Sequence, residues 1–399
     1  MSGIYTVLDN PQVDAFIQTQ LDRIVEAISR LLGGHLVAVV LGGGFGRGEG
    51  SVMVDADGAM HVVNDYDIEV VYRERWGRFP SKALAHLRFH RGLARLAGDL
   101  ANELGLKQID LVLRGVSGYR VTGVVRLADF DIRSGHRLLY GRHDPVQGTG
   151  TFDPAEIPAF EGTWLLRNRA IGLLLAWYYL VGDSLRPDKA EYFFIEINKA
   201  VLAMGDALFI GAGRYRSSYA WRADHLADVL PAGFGGRSLL EALYALAADY
   251  KLRPTVAMYP GQDPAGLWRR VSALFVDLFL YHESQRAGRG FARLADYADW
   301  LGEPRKTALR GRLRFGFDRL RGAVPRDLVQ FAWLRQSRPH SVLVALTLLG
   351  ARLEGDSGDS MAALTGLIGT GNRDELMRSF LLFAHPKGEL GRELGRGAR

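Results

Sequence analysis

Residues 35 to 41, His-Leu-Val-Ala-Val-Val-Leu, form a β-branched run that stops at a cluster of glycines, Gly42-Gly43-Gly44-Phe45-Gly46-Arg47-Gly48-Glu49. Such a run reads as a buried strand, and the glycines mark where it ends. Glycines let backbone N–H groups turn toward one point and let an anion come close, while Arg47 adds a fixed charge on a forked donor. A phosphate fits such a turn. Downstream, Asn64-Asp65-Tyr66-Asp67-Ile68-Glu69-Val70-Val71 alternates with a period of two, so in a strand the acids share one face while Tyr66, Ile68 and Val70 point to the other.

Two acids about 7 Å apart along a strand can converge their side chains on a hard cation such as Mg²⁺. Burying that charge uncompensated is costly, so the pattern implies a metal or a solvated edge. A third acid, Asp110, lies in Lys107-Gln108-Ile109-Asp110-Leu111-Val112-Leu113-Arg114, opposite an apolar face of Ile109, Leu111 and Leu113. If the two strands are neighbours, three carboxylates meet. Each piece alone is common. The turn lacks a Lys-Ser/Thr ending and the Gly-x-Gly-x-x-Gly register, which excludes a P-loop or a Rossmann fingerprint.

Taken together, Gly-Gly, then Asp-x-Asp, then a lone Asp on a later strand resembles the nucleotidyltransferase superfamily, which includes DNA polymerase β and kanamycin nucleotidyltransferase. Gly43-Gly44-Phe45-Gly46-Arg47-Gly48-Glu49 is similar to the Gly-Gly-Tyr-Gly-Arg-Gly-Glu turn of bacterial PII uridylyltransferases. The resemblance covers residues 35 to 141, about a quarter of the chain. It implies that Gly43 and Gly44 hold nucleotide phosphates, that Asp65 and Asp67 bind metal, and that Asp110 completes the site. The gap before Asp-x-Asp is longer here than in those relatives. The extra residues, Ser51 to Val63, read as two short strands around an Asp57-Gly58 turn.

With 399 residues, 48% hydrophobic and 24% charged, the chain can bury two cores. It has no cysteine, which excludes disulfides, thiolate metal sites and cysteine nucleophiles and fits a cytoplasmic protein. The start reads as no secretory signal, and the longest apolar run, Ala170 to Val181, is too short to span a bilayer, so no membrane partner is expected. A formal charge of +6 suits polyanions, NTP included, but is small for this length.

Along the chain, Asn10-Pro11 opens a helix to about Leu32, with apolar Val13, Ile17, Leu21, Ile24 and Ile28 on one face and Gly33-Gly34 ending it. Pro80-Ser81 opens a long helix to about Leu104. Val121 to Val125 reads as a strand, Leu127 to Ile132 fits either a strand or a short helix, and His136 to Gly141 reads as a closing strand. The fold class expected is an α+β nucleotidyltransferase domain, a mixed sheet with helices, over residues 1–150. An all-α domain follows over 151–399, including helices over Lys306 to Arg321 and Arg326 to Leu334 and a frayed tail at 388–399.

Three acids and a glycine turn would leave a triphosphate largely in water, so basic residues of the helical part, Lys199, Arg214 and Arg222, are the candidates to reach in. The expected activity is metal-dependent transfer of NMP from NTP to a hydroxyl acceptor with release of pyrophosphate. The expected ions are Mg²⁺ or Mn²⁺, with Asp65, Asp67 and Asp110 as ligands and Gly43, Gly44, Arg47 and Lys199 on the nucleotide. The acceptor is a small molecule, a protein or an RNA. The rival expectation is an inactive nucleotide sensor or partner-binding protein on the same fold.

Overall fold

The computed structural model describes residues 3–73, 79–119, 123–181, 183–255, 263–302, 338–354, 377 and 380–381. The chain divides into two compact units. The first comprises Met1–Pro158, Ala212–Val229 and Ala245–Met258; the second comprises Ala159–Gly211, Leu230–Tyr244 and Tyr259–Arg399.

The first unit is built on a four-stranded mixed sheet. Helix α1 (Pro11–Leu32) starts where expected: the Asn10 side chain accepts from Gln12 N at 2.9 Å, and Gly33 ends the helix at φ 52°. Strand β1 (Leu36–Leu41) leads into the short helix α2 (Gly43–Arg47). Strands β2 (Val52–Val54) and β3 (Met60–Val62) then pair antiparallel as a separate hairpin. Its turn is the expected one: Gly58 takes φ 86°, and Asp57 Oδ1 accepts from Ala59 N at 3.1 Å.

Strand β4 (Tyr66–Tyr72), helix α3 (Phe79–Glu103) and strand β5 (Ile109–Gly115) form a parallel pair joined by a helix. Helix α4 (Leu127–Ser134) and strand β6 (Arg137–Tyr140) complete the sheet, in the order β5-β4-β1-β6. The ambiguous stretch is therefore a helix, with Phe130 and Ile132 buried and Ile132 packed against Ala38 and Val40 of β1. Within the expected strand 121–125, residues 121–122 lie outside the described ones, and 123–125 are not in a strand.

Alternation along β1 and β4 separates two cores. Val39, Leu41, Tyr66, Ile68 and Val70 pack with Ile17, Leu21, Ile24 and Ile28 of α1 and Leu93 and Leu100 of α3. On the other face Ala38, Val40 and Val71 pack with Tyr119, Ile132 and Val146. Asp67 and Glu69 belong to this second face, and Glu69 is taken up there: Arg114 Nη2 donates to it at 2.8 Å, as does the Tyr119 hydroxyl.

The second unit is helical. Helices α5 (Phe160–Tyr178) and α6 (Ala190–Gly211) frame a two-residue hairpin, β7 (Leu180–Val181) and β8 (Ser184–Leu185), the one departure from an all-helical pattern among the described residues. Helix α7 (Tyr219–His225) belongs to the first unit, and α8 (Arg237–Leu252) is shared, its residues from Ala245 onward counting with the sheet. Helices α9 (Pro264–Ala287), α10 (Leu294–Leu301) and α11 (Arg338–Glu354) follow, and α5, α6, α9 and α11 pack on one another. Trp268, fully buried, donates from Nε1 to Leu173 O at 2.8 Å. The helices expected over 306–321 and 326–334 and the tail 388–399 lie outside the described residues. Among the described residues no helix is long and apolar enough to cross a membrane.

Candidate metal centre

Strand alternation places the acids. Tyr66 and Ile68 point into the core, where the Tyr66 hydroxyl donates to Gln20 Oε1 at 2.8 Å, so Asp67 between them faces the other side. Parallel pairing sets Asp67 directly opposite Asp110. The carboxylates of Asp65, Asp67 and Asp110 each offer an oxygen within 4.8 Å of the other two, the group of acids among the described residues with spacing for a shared ion. Gln108 Nε2 donates to Asp110 Oδ1 at 2.5 Å.

The electrostatics match that crowding. The Asp67 carboxyl is pushed up to about 7, first by the protein packed round it and next by the charge of Asp65; Asp110 adds to the rise, while Lys251 and Arg47 oppose it. By surface area Asp67 is exposed, and the repulsion among the acids is the part of this shift that a cation would relieve. The donor set fits a hard divalent ion: three carboxylates and no sulfur ligand, the chemistry preferred by Mg²⁺ and Mn²⁺.

The glycine cluster differs from the open turn expected. Gly43–Arg47 wind into one helical turn, closed by Gly46 N donating to Gly42 O at 2.9 Å and capped by Gly48 at φ 81°. Phe45 explains the winding. Its ring is buried and meets that of Tyr66 at 4.7 Å, which draws the middle of the cluster into the core. Gly42 N donates to Asp67 O at 2.8 Å, so the β1–β4 ladder continues into the turn. At Gly43, with φ 60°, a Cβ would fall 1.9 Å from Asp67 Oδ2. Gly43 thus lies against the Asp67 carboxylate. Gly44 abuts the Glu49 carbonyl, 2.8 Å from where its own Cβ would be. The Arg47 side chain is largely buried, its stem lies against Gly135, and its Nε, which makes no hydrogen bond, is 4.0 Å from Glu49 Oε2.

The three basic candidates of the helical part separate. Arg214 is exposed and paired to Asp228 at 3.0 Å. Arg222 is buried, sits over the rings of Tyr219 at 4.3 Å and Tyr215 at 5.0 Å, and donates to the Arg216 carbonyl. Each of these two cations has an acceptor or ring close by in the chain, and both lie in the segment Ala212–Val229 of the first unit. Lys199 lies half-buried on α6, in the second unit.

Two residues of the site escape a reading of the sequence. Glu49, the last residue of the glycine cluster, is buried and accepts from Ser218 Oγ at 2.7 Å, Tyr219 N at 3.0 Å and Ala220 N at 3.4 Å, so it caps α7. Lys251, at the end of α8, is a cation felt by Asp67. Its one sequence signal is rarity, since lysine supplies only seven of the 50 basic residues.

Comparison with protein-family models, with curated proteins and with solved structures finds no match. The chemistry of the site therefore carries the functional argument.

Proposed function

We propose that the chain is a metal-dependent nucleotidyltransferase, moving NMP from NTP to a hydroxyl acceptor. The observation that supports it most is the meeting of Asp65, Asp67 and Asp110 on neighbouring strands, beside a glycine turn whose Gly43 touches the middle carboxylate. Asp65 and Asp67 would hold the ions with Asp110. Divalent ions bound there supply charge neutralisation at the phosphates and activation of the acceptor hydroxyl.

The protein's own groups do the rest. The acceptor oxygen attacks the α-phosphorus, the bond to the leaving pyrophosphate breaks, and the hydroxyl proton passes to a carboxylate. Asp110, with Oδ1 oriented by Gln108, is the residue we assign to that proton. Gly43 and Gly44 are assigned to the approach of the phosphates, and Arg47 to their charge. The acceptor class is a small molecule, a protein side chain or an RNA end.

The test is pyrophosphate release from each of the four NTPs with Mg²⁺, with cell extract as the acceptor pool, beside Asp65→Asn/Asp67→Asn. Release by the native chain and not by the double variant is expected. NTP-dependent thermal stabilisation without pyrophosphate would instead identify a sensor that binds nucleotide without turnover.

A further inference from the structure

Lys251 is tied by a built connection to the segment that leads into the acids. It lies in the last turn of α8, where the final carbonyls of a helix lack partners within it. Ser51 Oγ satisfies the Lys251 carbonyl at 2.5 Å, and that hydroxyl accepts from Asn64 Nδ2, also at 2.5 Å. Asn64 immediately precedes Asp65, and Ser51 is completely buried and accepts a backbone bond from Val63 N at 3.0 Å. The helix end is thus tied to the backbone that delivers the first acid. The ammonium itself lies 5.4 Å from the centre of the Tyr219 ring, and the Tyr219 N–H is bound by Glu49 of the glycine cluster. Two connections therefore meet at this one residue: Ser51 and Asn64 hold its backbone carbonyl, and Tyr219, itself bound by Glu49, lies beside its ammonium.

We infer that the Lys251 ammonium contacts the polyphosphate of the bound nucleotide, as a cation that the first unit contributes from its returning segment Ala245–Met258. This rests on the nucleotidyltransferase reading. Its charge has opposite consequences for the two ligands. A bare divalent cation entering the three carboxylates is opposed by a neighbouring ammonium, which already offsets part of their charge. A polyphosphate brings four or so negative charges and is drawn to it, with a charge-assisted hydrogen bond gained on contact. A lysine that only braced α8 would give neither sign selectively.

The experiment measures two affinities separately, for Mn²⁺ alone and for non-hydrolysable NTP analogues with Mg²⁺, in the native chain, Lys251→Met and Lys251→Arg. Methionine keeps an unbranched apolar stem and removes the charge. The expected result for Lys251→Met is analogue binding weakened by about tenfold or more, the size of one charge-assisted hydrogen bond, with Mn²⁺ binding unchanged or tighter. Lys251→Arg restores the analogue. Equal analogue affinity in native chain and Lys251→Met overturns the inference. A parallel loss of both ligands together with thermal stability also overturns it, assigning Lys251 to bracing alone. If the native chain binds neither Mn²⁺ nor any analogue, the nucleotidyltransferase reading itself fails.

Discussion

At the residue scale, the most exacting position is Gly43. Its φ of 60° is one that residues with a Cβ enter at a cost of about 1–2 kcal/mol, and the space a methyl would take already holds Asp67 Oδ2. Gly43→Ala is expected to move the Asp67 carboxylate, lowering Mn²⁺ affinity by an order of magnitude or about that, with only a modest fall in thermal stability. Titration of Mn²⁺ beside a melting curve separates the two effects. An unaltered affinity would mean that Asp67 is not a ligand or that the turn relaxes without it. Glu69 teaches the converse. It shares the face of Asp67, yet Arg114 and Tyr119 engage both of its oxygens, so it is a structural acid despite its spacing.

At the scale of elements, the glycine cluster links three parts of the first unit. Its start continues the ladder to β4, Phe45 roots it in the core, and its end, Glu49, caps α7. Asp131 of α4 holds the same late segment from its other side, accepting from Ser217 Oγ at 2.5 Å and from the Tyr215 hydroxyl at 3.2 Å. Glu49→Ala removes the acceptor of two backbone donors and one hydroxyl, and is expected to cost roughly 1–3 kcal/mol. Denaturant unfolding gives the magnitude. Hydrogen exchange gives the place, with faster exchange at the amides of Tyr219 and Ala220. If those amides exchange as in the native chain, the cap is not what holds α7.

At the scale of the whole molecule, the triad makes stability depend on pH in a direction set by its charge. The Asp67 carboxyl is raised from 3.8 to about 7, so the folded chain binds a proton more tightly than the unfolded chain does. That contribution is fully present below pH 4 and is lost as pH rises through about 7. Asp144 and Glu283 are shifted the other way, by their hydrogen-bond partners His136, Arg286 and Thr163 acting against burial, and contribute stability that is lost as the medium becomes acidic. The contribution of Asp67 is isolated by comparison with Asp67→Asn. Without metal, the melting temperature of the native chain is expected to fall relative to the variant between pH 4 and pH 7. Mn²⁺ should then stabilise the native chain most above pH 7, where the carboxylate is ionised. A difference that stays flat across that range would mean that Asp67 is not perturbed.

What the sequence determined by itself was local and periodic. The period of two along Asp65 to Val71 put the acids on one face, Asn10-Pro11 and Gly33 bounded α1, and Asp57-Gly58 closed the hairpin. These features depend on neighbours a few residues away, and short-range sterics and hydrogen bonding settle them. The meeting of Asp110 with Asp67 was conditional on two strands being adjacent, which only the sheet order decides. Glu49 and Lys251 were out of reach. Their partners lie about 170 and 200 residues away along the chain, and one member of each pair belongs to a segment that rejoins the first unit after the chain has entered the second. A buried glutamate capping a remote helix and a lysine tethered through a buried serine leave no periodic trace, because the contacts that give them meaning exist only when the chain has folded back.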